Sequence, residues 1–581
     1  MAFRRFLSVV PLVAFTTYGQ TSILSADSLA AFRLFCPGGQ LERVAVPGQP
    51  FAEALRLTTP DGNFQNEYDC RIRHALTVPV ANGDWLVAVF WIRSLQASNI
   101  DGALVKLNFE RNAPDYRKSV NSGTLATPEW RRMQIPFRVV EAYQPGGAQL
   151  DFWVGYEPQV VEIGGISVTN HGPSSNPPLP ALGYTYPGRE ADAPWRAAAA
   201  LRIENFRKAA VTVTVKDARG MAAAGAALKL RMKRHAFGFG SAVAADGILG
   251  TRPDDDPYRR KIAELFNKVV LENDLKWPGW EQSRSRALDA IAWLRNNGIT
   301  DIRGHNMVWP AWQYLPRDVQ GLAANPAALR KRIDDHILEV GAATRGLVTD
   351  CDVVNEPIPN RDIQNILGDY ELVRWFQLAR AADPGVRLFV NEYDIETGGG
   401  RNTRKQLQFL DLLQSLAERD APANAIGIQG HFGTDLTNPQ KVYEILDRFA
   451  QLGLPIQITE FDINSTDEQL QADYIRDYMT IVFSHPAVDA FLQWGFWAGR
   501  HWLPDAALYR RDWSEKPNGA AYRKLVFEDW WTNAEGVTDK DGAFAARGYR
   551  GEYELEVTLG GRSLRRPLIV DGDKEVAVNL E

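Results

Sequence analysis

Glu356 and Glu460 each stand at the end of a short apolar run, Cys351–Glu356 and Ile456–Phe461. Comparable runs end in Glu272, Asn273, Lys276 and Trp277, in His305 and Trp309, and in Asn391, Glu392 and Tyr393. Further along the chain come Gln429 and His431, Asp462, and Trp494 and Trp497, while Asn355 directly precedes Glu356. A lone Glu at a strand end is ordinarily a solvated terminus or half of an ion pair. Two carboxylates framed by amides, imidazoles, a lysine and indoles form a different inventory. Retaining cleavage of a glycosidic bond needs two carboxyl groups about 5–5.5 Å apart, one to protonate the leaving oxygen and one to attack the anomeric carbon. Like charge at that distance raises one pKa and keeps that acid protonated near neutral pH. Amides, histidines and lysine suit sugar hydroxyls, and indole faces suit the flat C–H faces of pyranose rings. No Cys–His spacing suggests zinc, and the chemistry calls for neither metal nor cofactor.

Such a site needs elements that bring many strand ends to one mouth. Eight strand-like runs occur between Phe237 and Trp531: Phe237–Val243, Lys268–Asn273, Asp301–Trp309, Cys351–Glu356, Leu388–Tyr393, Ile426–Phe432, Ile456–Phe461 and Phe491–Trp497. Most are followed by a helix-length stretch of 3.6-residue periodicity, such as Pro326–Thr344 or Arg404–Leu416. Eight strand–helix units in about 300 residues predict a parallel (β/α)8 TIM barrel over 237–532, whose chemistry sits at the C-terminal ends of the strands.

The barrel is flanked by β-rich sequence. A hairpin is predicted from Ala210–Asp217 and Ala226–Met232 around a turn at Arg219–Gly220, within a segment 201–236. Strand-like runs return in the tail, 533–581, and the two segments are similar to the halves of a transthyretin-like sandwich, which makes the barrel an insertion. Two β-pieces packing separately on the barrel are the alternative. Upstream, 27–170 reads as a β-sandwich from the alternating runs Ala54–Thr58, Leu76–Val80, Trp85–Ser94, Ala103–Phe109, Trp130–Val139, Gln149–Val154 and Val160–Thr169. Residues 171–200 are expected to be a linker that ends in a short helix from Ala197 to Lys208. At the start, Arg4 and Arg5, the apolar Phe6–Phe15, and the small residues Gly19, Ser25 and Ala26 predict a signal peptide over 1–26 and a secreted or periplasmic protein.

Composition narrows the function classes. With 45% hydrophobic and 23% charged residues the 581-residue chain can bury a large core. Its net charge is −6 and Lys and Arg form no sustained basic face, which excludes a nucleic-acid partner. No apolar run is long enough to span a bilayer, and a monomer acting on a polysaccharide is expected.

The ordered motifs of the barrel resemble those of glycoside hydrolase family 10, known for endo-β-1,4-xylanases. They are Glu272-Asn273-x-x-Lys276-Trp277, Arg303-Gly304-His305-x-x-x-Trp309, Asp352-Val353-Val354-Asn355-Glu356-Pro357, Asn391-x-Tyr393, Gln429-x-His431-Phe432, Ile458-Thr459-Glu460-Phe461-Asp462 and Trp494-Gly495, with Trp502 at the offset of a second stacking Trp. His485-Pro486-Ala487-Val488, Trp494-Gly495-Phe496-Trp497 and Arg547-Gly548-x-x-Gly551-x-Tyr553 resemble the plant-type branch. The resemblance implies Glu356 as acid/base, Glu460 as nucleophile, His431 orienting Glu460, and Asn355 bonded to the sugar 2-hydroxyl. It places Glu272, Asn273, Lys276, His305 and Gln429 at the non-reducing side of the scissile bond. Trp309, Trp494 and Trp502 would wall the sugar, and Tyr393 would stand at the leaving side. Cys351, Pro310, Glu392 and Asp394 depart from the family's usual residues and leave the aglycone side and the polymer open. A transglycosylase, a hydrolase of a related β-glucan and a non-catalytic carbohydrate-binding protein remain as alternatives. The N-terminal sandwich is similar in architecture to carbohydrate-binding modules, in which Cys36 and Cys70 would form a structural bridge.

Overall fold

The computed structural model describes residues 21–61, 64, 66–98, 101–173 and 184–580, which divide into two compact units at Tyr184. The leader expected over 1–26 lies outside the described residues as far as residue 20. Its last part does not: Thr21–Leu24 is a strand paired antiparallel with the end of Gln159–Asn170.

The first unit is a sandwich of two antiparallel sheets. One contains, in order, Gln40–Ala45, Glu53–Thr59, Gln159–Asn170, Trp85–Ala97 and Arg131–Arg138, with Thr21–Leu24 added beside Gln159–Asn170. The other contains Arg33–Phe35, Arg71–Ala75, Ala148–Trp153, Ala103–Arg111 and Lys118–Ala126. Side chains interdigitate between them: Phe90 meets Phe152 with ring centroids 5.0 Å apart, and Phe109 meets Phe137 at 5.3 Å. Cys36 and Cys70 are disulfide-bonded. The run Leu76–Val80 is not a strand. It holds Pro79, which has no N–H for a ladder, and the paired segment is the preceding Arg71–Ala75.

In the second unit the barrel strands are β1 (Gly238–Val243), β2 (Lys268–Leu271), β3 (Asp301–Gly304), β4 (Asp350–Asn355), β5 (Arg387–Glu392), β6 (Ala425–Ile428), β7 (Ile456–Ile463) and β8 (Val488–Gln493). Each pairs in parallel with the next, β8 pairs with β1, and the ring is closed. His431–Phe432 continues β6 alongside Asp462–Ile463. Strands covered on both faces must be apolar along most of their length, and every residue of β1, β4 and β7 is buried.

Segments on both sides of the barrel build a smaller sandwich. Ala543–Tyr549, Lys208–Lys216 and Lys574–Asn579 form one sheet, and Asn533–Val537, Ala227–His235, Gly551–Leu559 and Arg562–Val570 form the other. The expected hairpin is therefore corrected: Lys208–Lys216 and Ala227–His235 lie in different sheets. Asp217 Oδ1 accepts from the Arg219 and Met221 N–H groups and starts the crossover between sheets. The tail then supplies each strand with its neighbours.

The linker expected over 171–200 is also corrected. Within it, Tyr186 is buried and donates to Asp477 at 2.7 Å, and Arg196 binds the same carboxylate through both terminal nitrogens. The helix there is Pro194–Arg207, begun by a proline whose missing N–H costs nothing in the first turn. Among the described residues, no helix is long and apolar enough to cross a membrane.

Candidate active site

The polar residues singled out from the sequence collect at the C-terminal ends of the barrel strands. Glu356 follows β4 with a left-handed φ of +52°, a conformation that costs a non-glycine residue energy and must be held by its surroundings. Its N–H donates to the Asn391 carbonyl at 2.8 Å. Glu460, within β7, donates its N–H to the Gln429 carbonyl at 2.7 Å. The side chains of those same two residues cross over: Asn391 Nδ2 donates to Glu460 Oε1 at 2.7 Å, and Gln429 Nε2 donates to Glu356 Oε1 at 2.9 Å. Each amide thus holds the backbone of one glutamate and the carboxyl of the other. Asn391 Nδ2 also reaches Asn355 Oδ1 at 2.8 Å, and Thr459 Oγ1 donates to Asn391 Oδ1 at 2.8 Å, which fixes the amide's orientation.

The two carboxyls have opposite electrostatic surroundings. Glu356 receives bonds only from neutral donors: Gln429, Trp309 Nε1 at 3.2 Å and Asn360 Nδ2 at 3.2 Å. Burial raises its pKa, the Glu460 charge adds to the rise, and the Gln429 bond opposes it. Glu460 is buried too, but His431 Nε2 lies 3.2 Å from Oε2, and His305 and Lys276 add positive charge. Together they overcome burial and bring the pKa down to about 2. His431 sits between two acids, with Nδ1 3.0 Å from Asp462 Oδ1. Burial lowers its pKa, but the Asp462 and Glu460 charges outweigh this and raise it to about 10, so it is an imidazolium at neutral pH. Trp502 Nε1 donates to Asp462 Oδ2 at 2.8 Å and holds the far end of this relay while its ring remains 54% exposed.

Around this pair, Lys276 donates to Asn273 Oδ1 at 2.9 Å and its Nζ lies 5.5 Å from the Trp309 ring and 5.8 Å from Trp494. Burial lowers the Lys276 pKa against the pull of Glu460, Glu272 and Glu356. Burial raises that of Glu272, opposed by Lys276. His305 Nδ1 bonds Asp352 Oδ2 at 2.9 Å, and Trp494 meets His305 edge-on at 5.2 Å. Trp309 stacks on Tyr314 at 3.6 Å. Tyr393 is half-exposed, with Lys405 Nζ 3.1 Å from its ring centroid. Glu392 is buried and takes Lys405 as its ion pair at 2.9 Å. It also accepts from the Ile358 N–H at 3.2 Å, tying the Glu356 loop to β5. Burial, against the Lys405 charge, raises its pKa to about 7.

Two strand-end aromatics belong elsewhere. Trp277 is fully buried and stacked on His336 at 4.0 Å, and Trp497 stacks on Trp513 at 4.5 Å. The bracing by Asn391, Thr459, Asn360 and Lys405 did not emerge from the sequence reading. Asn391 alone carried a signal, as the polar end of an apolar strand. Among the described residues no cluster of His, Cys, Asp and Glu has the arrangement to hold a metal ion.

A closed parallel barrel whose mouth holds one carboxyl inclined to keep its proton beside one that stays ionised has the site of a glycosidase that works through two carboxylates. The sequence profile of glycosyl hydrolase family 10 matches residues 227–526, just over half of the chain. The chain belongs to that family.

Among curated relatives, the chain is similar to anti-sigma-I factor RsgI6 of Acetivibrio thermocellus, at 31% identity over 404 residues (68% of this chain and 50% of that one). It is also similar to endo-1,4-beta-xylanase 1 of Arabidopsis thaliana, at 30% over 338 residues (57% and 34%). The chain thus spans between a third and a half of the length of these relatives. Among solved structures, xylanase 10B of Thermotoga petrophila, in complex with xylobiose, aligns with a TM-score of 0.46 at 26% identity, covering 51% of this chain and 95% of that one.

Proposed function

We propose that the protein is an endo-acting, retaining hydrolase of β-1,4-xylan. The observation that carries this reading is the unequal tuning of two cross-braced carboxyls, Glu356 raised and Glu460 held near 2. Glu460 attacks the anomeric carbon while Glu356 gives its proton to the leaving oxygen, and a glycosyl–enzyme ester forms. Glu356, now ionised, takes a proton from water as water attacks that carbon and releases Glu460. Asn355, held by Asn391, bonds the 2-hydroxyl. Glu272, Asn273, Lys276, His305 and Gln429 bind hydroxyls on the non-reducing side, Trp309, Trp494 and Trp502 wall the chain, and Tyr393 meets the leaving side. The similarity to endo-1,4-beta-xylanase 1 of Arabidopsis thaliana supports xylan as the polymer.

The proposal extends to the first unit as a carbohydrate-binding module that raises the local concentration of polymer, in a secreted, monomeric protein. The pairing of Thr21–Leu24 favours removal of a leader after Gly19 or Gln20, since a cut after Ala26 would take a paired strand with it. N-terminal sequencing of the exported protein checks that cut.

Reducing-end release from xylan, mixed-linkage glucan and cellulose, with Glu460→Ala as control, tests the reading. Release of short oligomers from xylan alone is expected. Transfer to a labelled acceptor in place of hydrolysis would overturn hydrolysis, and release from glucan alone would overturn the substrate.

A further inference from the structure

Resting on the reading of the first unit as a carbohydrate-binding module, we infer that its ligand site is the outward face of the five-stranded sheet, centred on Asn108, Gln149 and Trp153, and that it takes a neutral β-linked polysaccharide chain. Ala148–Trp153 is the middle strand of that sheet. Phe152 turns into the core against Phe90, so alternation turns Gln149, Asp151 and Trp153 outward. They stand beside Asn108 and Glu110 on one neighbouring strand and Arg71 and Arg73 on the other. An outward face normally carries exposed polar groups bonded to water. Here Asn108 is 0% exposed, Gln149 1% and Trp153 5%, yet Asn108 Oδ1, Gln149 Oε1 and Trp153 Nε1 have no hydrogen-bond partner among the described residues. Buried polar atoms without partners are rare in native structures and call for a bound group.

The pairing around these atoms narrows the chemistry. The charges are already used: Arg73 binds Asp151 at 2.7 Å, Arg71 lies 3.5 Å from the same carboxylate, and Lys118 binds Glu110 at 3.0 Å. Gln149 Nε2 donates to Glu110 at 2.8 Å, which fixes that amide and leaves its oxygen outside the network. Beside Arg71 Nε and Glu110 Oε2, which also lack a hydrogen-bond partner but belong to ion-paired groups, what the face still offers is neutral, namely two carbonyl acceptors and one indole donor. Hydroxyl groups, each both donor and acceptor, satisfy all three, whereas a phosphate or carboxylate finds no uncommitted cation. At the rim, Phe35 and Tyr68 are each 44% exposed, and Tyr68 stands edge-on to Trp153 at 5.5 Å, giving apolar ring faces for pyranose C–H groups.

The outward face of the other sheet also carries aromatics, Trp91 and Trp130 with Phe51 between them. Its polar groups are closed on themselves: both oxygens of Glu162 accept from Arg56 and Arg93 at 2.7–2.9 Å. Phe51 lies so close over Gly164 that a Cβ there would come within 2.3 Å of its ring. Phe51 thus already covers the middle of that face.

The test is adsorption of the full chain to insoluble xylan and to cellulose, in a Glu460→Ala background so that polymer is not consumed. Asn108→Ala is expected to weaken adsorption at least tenfold on one of these polymers, while Trp91→Ala leaves it unchanged. In the active protein Asn108→Ala should leave turnover of soluble xylo-oligosaccharides unchanged, because Asn108 belongs to the first unit and Glu356 and Glu460 to the second. Should Asn108→Ala fail to fold, Gln149→Ala carries the same expectation. Loss with Trp91→Ala and none with Asn108→Ala or Gln149→Ala overturns the site while the module reading stands. If a chain carrying Asn108→Ala and Trp91→Ala together adsorbs like the parent, the module reading itself falls.

Discussion

The two ends of the barrel both bury charge, and they use it in opposite ways. At the N-terminal ends of the strands, Asp350 accepts from Arg387 Nε on one oxygen and from Lys268 Nζ and Gln457 Nε2 on the other, and Gln457 and Arg387 go on to Asp489. Lys268 is fully buried and also binds Asp301. At the C-terminal ends, Glu356 is partly buried and touches only amide and indole N–H groups. Burial pushes both carboxyls up. The Lys268 and Arg387 cations override it at Asp350, which stays well below the usual carboxylate range, and nothing comparable overrides it at Glu356. Burial alone does not make a carboxyl reactive; the charge of its hydrogen-bond donors decides which way it goes. Between the two ends runs a polar column: Arg303 bonds Gln457 at 2.8 Å and Asp352 at 3.1 Å, and Asp352 bonds His305. The lower network therefore also sets the floor of the site.

If that division holds, substitutions at the top remove chemistry and substitutions at the bottom remove stability. The largest effect is expected for Glu460→Ala, which should lower kcat by at least about 10⁴-fold while the protein still folds, since the neighbouring carboxylate Asp462 is committed to His431 and Trp502 and cannot take over as nucleophile. Substantial residual turnover would end the assignment. Next is Glu356→Gln, which should cost roughly 10²–10⁴-fold on polymer and far less on an aryl glycoside whose leaving group needs no proton. On the aryl substrate the alkaline limb of kcat/KM should also disappear in this variant, because that limb records the loss of the Glu356 proton. Equal losses on both substrates would count against its acid role.

At the other end, Lys268→Met should leave kcat within a few-fold while costing about 3–5 kcal/mol in denaturant unfolding, the penalty for removing one partner from a buried charge network. A large fall in kcat with intact stability would erase the contrast between the two ends. The same network sets an acid dependence. Asp350 has a folded pKa below its unfolded value near 3.9, so its contribution is complete above that value and is lost as pH falls below it.

The contrast was only half legible in the sequence. The upper end was readable because its polar residues interrupt apolar runs where barrel strands must end, and carboxylates there have few bland explanations. Lys268, Asp301, Asp350 and Arg387 begin their strands, where charge ordinarily meets water, so nothing in the residue types marks them as buried. The cross-bracing by Asn391 and Gln429 depends on strand order and on side-chain direction, and neither is carried by spacing along the chain. The same limit explains the hairpin expected from Ala210 to Met232: alternation marks two strands but not their partners, which lie more than 300 residues away. In the first unit, Lys118–Ala126 was missed because its sequence, Lys-Ser-Val-Asn-Ser-Gly-Thr-Leu-Ala, alternates too weakly to resemble a strand.

The smallest expected effect comes from His431, where the upper end pairs its charge as the lower end does. Its folded pKa of about 10 lies above the unfolded value of about 6.5, so protonation favours the folded state. The sign follows from linkage: the contribution is complete below about pH 6.5 and is lost as pH rises through about 10, because above that the folded imidazole no longer holds an extra proton. His431→Gln should therefore flatten the decline of melting temperature between pH 7 and 10 relative to the parent. It should also release Glu460 upward from about 2, bringing the acid limb of kcat/KM into the measurable range. A variant whose melting curve follows the parent's across that window would show that the imidazolium between Glu460 and Asp462 contributes nothing to folding. The two ends of the barrel would then differ more sharply than the charges alone require.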